Sequence, residues 1–180
     1  MLGGRVRVVD SDGKDLPPGQ VGEILYQGEN LMAGYWARPD ATAQAIRDGW
    51  FHTGDAGYMD EEGFIFLKDR IKDVIITGGE NVYPAEVESA LMGHPGVLEC
   101  AVIGVPHAKW GETVKAVVVK REGAEVSEAA LIEWIRDKLA GFKRPTSIDF
   151  TEVLPRNASG KLLRRTLREP YWAGYERRIN

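Results

Sequence analysis

The spacing of apolar residues changes partway along the chain, and that change limits the folds open to it. Before Lys68 the apolar positions alternate at period two between clusters of turn residues. Arg5-Val6-Arg7-Val8-Val9 predicts a strand, Asp10-Ser11-Asp12-Gly13 a turn, Pro17-Pro18-Gly19 a second break, and Gly22 to Tyr26 the returning strand of a hairpin. Ala56 to Met59 and Phe64 to Leu67 flank Asp60-Glu61-Glu62-Gly63 as a second hairpin, and Pro39-Asp40 starts a short helix that runs to Ile46. From Asp73 onward the texture is mixed, with strands at Val74–Thr77, Val97–Val105, Val114–Lys120 and Ser147–Val153 and helices at Pro84–Met92 and Ser127–Leu139. In the second helix Leu131, Ile135 and Leu139 recur every four residues, Ile132 widens the stripe, and Ser127 stands where an N-cap is needed. Trp134 at the same spacing reads as core. The expected class is α+β: a small β-rich piece over residues 1–70, then a compact α+β unit over 71–180 with a small sheet and flanking helices.

Composition narrows the function classes. At 180 residues, 43% hydrophobic and 28% charged, the chain has the apolar content for one or two small globular domains. A net charge of −4 and a pI near 5.5 give no global pull toward nucleic acid or acidic membrane, so a phosphate-bearing partner needs a local site. Lys161, Arg164, Arg165 and Arg168 form a short basic stretch without stacking aromatics, which reads as a solvated helix face rather than a nucleic-acid site. Cys100, the single cysteine, lies in the apolar run Cys100-Ala101-Val102-Ile103 and reads as a small buried hydrophobe, which implies a reducing, cytoplasmic setting. No stretch approaches the ~18 apolar residues of a membrane span, and the N-terminus lacks a signal-peptide pattern. Two formal motifs are discounted: Asp10-x-Asp12-Gly13 lacks the further oxygen ligands of a calcium loop, and Asn157-Ala158-Ser159 lacks a secretory context for glycosylation. His52, His94 and His107 have no metal-ligand spacing, and no metal site is expected.

The densest signal runs from Gly49-Trp50-Phe51-His52-Thr53-Gly54-Asp55 through Lys68-Asp69-Arg70-Ile71-Lys72-Asp73 to Thr77-Gly78-Gly79-Glu80-Asn81-Val82-Tyr83-Pro84 and Glu88. With Gly22-Glu23-Ile24 and Gly34-Tyr35-Trp36 upstream and Pro155 to Leu162 downstream, this order and spacing resembles the AMP-forming acyl-CoA synthetases of the adenylate-forming superfamily, in their C-terminal portion, across essentially the whole chain. The resemblance implies that Asp55 and Arg70 bind the ribose of ATP, that Leu67 lies beside the nucleotide, and that Asn81 touches its phosphates. It matches Lys161 to the catalytic lysine, whose ammonium stabilises charge as a carboxylate attacks the α-phosphate. It makes Lys72 the hinge about which the C-terminal domain turns, and it assigns Gly78, Gly79 and Glu80, with Lys143 and Arg144, to CoA. Trp110-Gly111-Glu112 follows the family pattern as packing.

Ligand-free readings stand beside these. Thr53-Gly54-Asp55 also makes a plain loop, Arg70 a surface salt bridge with Asp69 or Asp73, Leu67 a buried strand residue, and Gly78-Gly79 a tight turn. A Walker A reading of Gly160-Lys161 fails because Pro155 and Leu162 replace the glycine and the Ser or Thr that it needs.

The resemblance also implies what the chain lacks. The phosphate loop, the adenine and magnesium segment and the acyl pocket precede this region in family members. The expectation is therefore a piece of a longer enzyme, beginning inside the last subdomain of a large N-terminal domain and inactive alone. The parent reaction it implies joins a carboxylic acid to CoA at the expense of ATP, with Mg2+ held mainly by the missing N-terminal domain. Leu167 to Gly174 resembles bacterial fatty-acid synthetases and points to a fatty acid. A non-catalytic interaction or CoA-binding module, and a peptide-synthetase adenylation fragment, remain as alternatives.

Overall fold

Alternating apolar residues and strong turn signals give two sheets in the computed structural model. It describes residues 3–175, and these divide into two units between Lys72 and Asp73.

The first unit holds β1 (Gly4–Val9), β2 (Gly22–Gly28), α1 (Pro39–Ala45), β3 (Ile46–Arg47), β4 (Trp50–Met59) and β5 (Ile65–Arg70). All its pairings are antiparallel, with β4 between β2 on one edge and β3 and β5 in succession on the other. Val8, Val9, Ile24, Leu25 and Ala56 are its buried apolar residues. Both predicted turns close in the same way. Asp10 Oδ1 accepts the N–H groups of Asp12 and Lys14 at 2.9 Å each, with Gly13 at φ +78°. Asp60 Oδ1 accepts those of Glu62 and Phe64 at 3.0 and 2.8 Å, with Gly63 at φ +87°. The carboxylate thus replaces ladder partners that the turn cannot supply, and glycine takes the left-handed position.

The second unit holds β6 (Ile75–Thr77), β7 (Glu80–Val82), α2 (Pro84–Met92), β8 (Val97–His107), β9 (Gly111–Lys120), α3 (Glu128–Trp134), β10 (Ser147–Phe150) and α4 (Arg164–Trp172). Strand β9 is central: β8 pairs with it antiparallel, β10 parallel, and β6 joins at Thr77 and Gly111. Along β8 and β9 successive side chains enter opposite faces, and both faces are covered, which accounts for their nearly unbroken apolar runs. Val102, Val114, Ala116 and Val118 pack with Val87 and Leu91 of α2 and Leu131 of α3. Ala101, Ile103, Val105, Val117 and Val119 pack with Leu154 and with Leu167 and Tyr171 of α4.

Several features depart from the sequence reading: Ile46 leaves the helix for the short strand β3, and β4 begins at Trp50 rather than Ala56. The helix from Ser127 stops at Trp134: the backbone N–H groups of Arg136 and Lys138 bond three residues back, to Glu133 and Ile135, and the Trp134 carbonyl that the Lys138 N–H leaves is taken by the Lys138 ammonium at 2.8 Å. Ile135 and Leu139 are buried all the same, and the Ser127 hydroxyl caps the helix by accepting the Ala130 N–H. Strand β10 ends at Phe150 rather than Val153, and β7 is a strand that the sequence pattern did not mark. Half of the basic stretch is not solvated: Arg164 and Arg168 are largely covered, while Lys161 and Arg165 are exposed. Arg164 makes two bonds to Glu88 at 2.8 and 2.9 Å, Arg168 pairs with the buried Asp73 at 3.3 Å, and Arg165 pairs with Glu169 along the helix. The Arg164 and Arg168 pairs fasten α4 to its own unit, as do the Tyr171 hydroxyl on Asp149 and the Trp172 indole on the Gly104 carbonyl.

Cys100 packs against the first of these cores, and its thiol is pushed up to about 12, chiefly by burial and further by the Glu88 charge. It is a packing residue, not a nucleophile.

Candidate functional site

Asp55, Leu67 and Arg70 come together in the first unit through two irregularities of β4. Opposite β2, the pairs Glu23–Ala56 and Leu25–His52 leave Thr53, Gly54 and Asp55 facing only Ile24, so β4 bulges there. Gly54 takes φ +67°, and side chains replace the missing ladder bonds. The Thr53 hydroxyl donates to the Ile24 carbonyl at 2.7 Å and accepts the Asp55 N–H at 3.0 Å, while Glu23 accepts the Gly54 N–H at 3.2 Å. The threonine and glycine of this segment are what an internal bulge needs. The plain-loop reading is replaced by a strand bulge.

Opposite β5, Asp55 pairs with Arg70, Ala56 with Asp69 and Gly57 with Leu67, so Lys68 is an extra residue on β5. In a regular strand, residues three apart face opposite sides of the sheet. The bulge at Lys68 turns Leu67 and Arg70 onto the same side, the side of Asp55. Arg70 Nε lies 2.9 Å from Asp55 Oδ1, and Arg70 Nη1 donates to the Thr53 carbonyl at 3.0 Å. Arg70 therefore pairs with Asp55, not with Asp69 or Asp73. Leu67 is 69% exposed, which excludes the buried-strand reading. The cluster is an open face with one carboxylate, one guanidinium and one apolar side chain, and an exposed ion pair of this kind contributes little to stability.

His52 flanks the bulge. Its Nδ1 lies 2.8 Å from both Glu23 Oε2 and Arg47 Nη2. Arginine only donates, so a neutral ring accepts from Arg47 or donates to Glu23 through this nitrogen, and cannot do both.

Lys72 lies in the 3-10 turn Ile71–Asp73, at the last position of the first unit. The following residue, Asp73, is held in the second unit by Arg168.

In the second unit, Gly78 and Gly79 form the two-residue turn between Thr77 and Glu80, with φ +60° and +91°. Two successive positive φ values are the hairpin geometry that favours glycine. A Cβ on Gly78 would sit 2.9 Å from the Trp110 ring, whereas nothing lies within 4 Å of one on Gly79. The Gly78 N–H donates to the Trp110 carbonyl, and Glu112 accepts the Ile76 N–H, so Trp110 and Glu112 support this hairpin. Glu80 and Asn81 are exposed on β7. Lys143, in the 3-10 turn Gly141–Lys143 packed against β7, is within 2.7 and 2.8 Å of the Glu86 oxygens. Its charge is already balanced here. Arg144 points elsewhere and donates to the Leu139 carbonyl at 2.9 Å.

Lys161 occupies a separate loop of the second unit, between the bridged residues Arg156 and Leu162. Its side chain is exposed, and its ammonium has no protein partner among the described residues. Sequence reasoning passed over the residues that build these places: Glu23 and Thr53 at the bulge, Lys68 as its counterpart on β5, and Asn157 beside Lys161. Among the described residues no group of three or more His, Cys, Asp or Glu could hold a metal ion, and no helix is long and apolar enough to cross a membrane.

Residues 86–161 match the family described as the AMP-binding enzyme C-terminal domain. Over 178 residues the chain is 49% identical to the fatty acid–[acyl-carrier-protein] ligase ScoC of Streptomyces coeruleorubidus, covering 99% of this chain and 34% of that protein. It is 54% identical over 157 residues to the 2-succinylbenzoate–CoA ligase of Geobacillus kaustophilus, covering 87% and 32%. The crystal structure of ATP-bound MatB from Rhodopseudomonas palustris superposes with a TM-score of 0.87 at 46% identity, over 97% of this chain and 35% of that one. The chain thus spans about a third of the length of these relatives. Matching motifs, fold and identity agree: this chain belongs to the adenylate-forming enzymes as a C-terminal portion, and residues 86–161 are its AMP-binding enzyme C-terminal domain.

Proposed function

We propose that this chain is the C-terminal part of an ATP-dependent ligase that activates a carboxylic acid as its acyl-adenylate and passes the acyl group to CoA. The observation that carries the reading is the double bulge, which turns Asp55, Arg70 and Leu67 onto one open face. A carboxylate accepts two hydrogen bonds at once and so suits the vicinal hydroxyls of a ribose. Arg70 holds that carboxylate and offers further donors, and Leu67 supplies apolar contact beside them. Lys161 brings the charge for the first chemical step. As the acid's carboxylate oxygen bonds to the α-phosphorus and pyrophosphate departs, its ammonium balances the charge between the carboxylate and the phosphate. Asn81 is assigned to the nucleotide phosphates.

The second step needs a thiol at the same carbonyl. We assign its approach to Gly78, Gly79 and Glu80, because the open side of Gly79 leaves space for a narrow pantetheine arm, and Lys143 to the anionic end of CoA once Glu86 releases it. Alternation between the steps is assigned to rotation at Lys72. In support, two structures of the same R. palustris protein, both near 46% identical to this chain, match it with TM-scores of 0.87 (ATP-bound) and 0.68 (apo), so that protein's own backbone differs between them over this region. The Mg2+ that accompanies ATP is assigned, on the family resemblance, mainly to the N-terminal domain. The proposed acid is a fatty acid, supported by the run from Leu167 to Gly174 and by the names of ScoC and of the long-chain-fatty-acid–CoA ligase FadD13 of Mycobacterium tuberculosis. A cytoplasmic setting belongs to the same proposal, supported by the free thiol of Cys100.

One observation favours a second reading of the thiol. ScoC is named for transfer to an acyl-carrier protein, so the acceptor's pantetheine could be carried on a protein.

The test mixes the purified chain with a separately expressed N-terminal portion of a related synthetase and follows pyrophosphate release over fatty and aryl acids, with CoA or a carrier protein as acceptor. The chain alone is expected to be silent and the mixture active with fatty acids. Acid-dependent pyrophosphate release by the chain alone, or silence of a mixture in which both pieces are folded, contradicts the proposal.

A further inference from the structure

The Lys161 loop is closed by the same device as the two hairpin turns of the first unit, with one chemical difference. Asn157 Oδ1 accepts the N–H groups of Ser159 and Lys161 at 3.1 and 2.8 Å, and Gly160 between them takes φ +80°. Acceptor, N–H two residues on, positive-φ glycine three on and N–H four on recur in the same order from Asp10 and from Asp60. The backbone bonds match as well. In each loop the first residue's N–H donates to the carbonyl four residues on, and its own carbonyl accepts the glycine N–H.

The difference lies in charge. In the first loop, Lys14 occupies the position of Lys161, and its ammonium lies 3.4 Å from the Asp12 carboxylate. Of the first three residues, the Asp10 loop has carboxylates at two and the Asp60 loop at all three, Asp60, Glu61 and Glu62. The Lys161 loop has Asn157, Ala158 and Ser159 there and carries none. Beside the loop, Arg156 pairs with Glu99 of β8 and also donates to the Gly160 carbonyl at 2.9 Å, so the carboxylate there already has a cation of its own.

We propose that Asn157 is a positioning residue for Lys161, closing the loop with a neutral acceptor so that the lysine is held in place while its ammonium stays uncompensated. The second half rests on the reading of Lys161 as the cation of adenylation; the first does not. Aspartate closes the same turn twice in this chain, so loop geometry alone gives no reason for an amide here. An ammonium that must meet a carboxylate and a phosphate gives one, because a neighbouring carboxylate would compete for it.

Three measurements on the 180-residue chain and its mixture with an N-terminal portion test this. Amide hydrogen exchange reads closure. Asn157→Ala is expected to speed exchange at Ser159 and Lys161 about five- to ten-fold, the worth of one hydrogen bond, and Asn157→Asp to leave it within about two-fold. Acetic anhydride labelling, read by mass spectrometry, reports the amine. Asn157→Asp is expected to slow labelling of Lys161 about three-fold, the effect of one charge a few ångströms away in water, with the other lysines unchanged. In the mixture, Asn157→Asp is expected to lower kcat for adenylation about three- to ten-fold with KM for ATP unchanged. Unchanged exchange in Asn157→Ala overturns the closure. Unchanged labelling or unchanged kcat in Asn157→Asp, with the loop still closed, overturns the need for a neutral acceptor. Full adenylation by Lys161→Ala removes the catalytic reading of the lysine, and with it the second half, while exchange still decides the first.

Discussion

Glu88 ties α2 to β8 and α4 at once, and its removal should loosen the whole second unit. One oxygen accepts the Val102 N–H at 2.8 Å, and both accept from Arg164 at 2.8 and 2.9 Å. The two side chains retain 16% and 21% exposure. Breaking a fully buried pair by deleting one partner costs about 3–5 kcal/mol, and an exposed pair is worth under about 1 kcal/mol. With roughly a fifth of each side chain still in water, Glu88→Ala should cost about 2–3 kcal/mol, part of it from the orphaned Val102 N–H and part from the stranded Arg164 charge. Amide hydrogen exchange at Val102 and Val118 reads this within the second unit alone, whatever the first unit does. At a factor of ten per ~1.4 kcal/mol, exchange through global opening should accelerate about 30- to 140-fold. The double variant Glu88→Leu with Arg164→Met should recover part of the loss, since neither charge is then left without its partner. Acceleration below about three-fold in Glu88→Ala would refute the reasoning, because it would make the pair equivalent to a surface bridge and return α4 to a solvated basic face.

Gly78→Ala should destabilise the β6–β7 hairpin by about 1–2 kcal/mol from the left-handed backbone alone, with a further penalty from the Cβ directed at Trp110. Gly79→Ala should cost only the backbone part, so equal losses in urea unfolding of the two variants would contradict the Trp110 contact. The Tyr171 hydroxyl is pushed up to about 12 by burial and by its bond to Asp149. The folded state therefore keeps this proton above pH 10 while the unfolded chain loses it, and its contribution is full below about pH 10 and falls toward pH 12. Tyr171→Phe should flatten that alkaline loss in melting temperature against pH, and an unchanged slope would count against it. Asp149 acts at the other end of the scale. Burial raises its carboxyl, but bonds from Lys115 and Tyr171 outweigh this and hold it below its usual value, so its contribution is lost as pH falls through the folded pKa.

Much of the fold was legible because local signals agreed. Aspartate with glycine three residues on marked both turns, Ser127 marked a helix start, and alternating or four-residue spacing marked most elements. The rest depended on partners distant in sequence. The bulge in β4 and the one in β5 depend on pairing across strands, and in β4 Thr53 and Glu23 repair the ladder with groups about 29–31 residues apart. The parallel pairing of β10 with β9 has no local signature either. Arg164 and Arg168 of α4 looked solvated because their carboxylate partners, Glu88 and Asp73, lie in other elements far back along the chain. At the candidate site, family spacing drew attention to Asp55, Arg70 and Lys161. It did not show that one extra residue, Lys68, turns Leu67 and Arg70 to the face of Asp55, or that an asparagine closes the lysine loop without a charge.

The most direct test of the central claim separates the two chemical steps in the chain mixed with an N-terminal portion. Wild type and Lys161→Ala are each given either ATP with a fatty acid, read as pyrophosphate release, or a synthetic acyl-adenylate with CoA, read as thioester. The account predicts that Lys161→Ala loses pyrophosphate release by about 100-fold or more, the scale of one well-placed charge-stabilising group, and retains thioester formation. Pyrophosphate release undiminished by Lys161→Ala, in a mixture where the wild-type chain is required for activity, would contradict it.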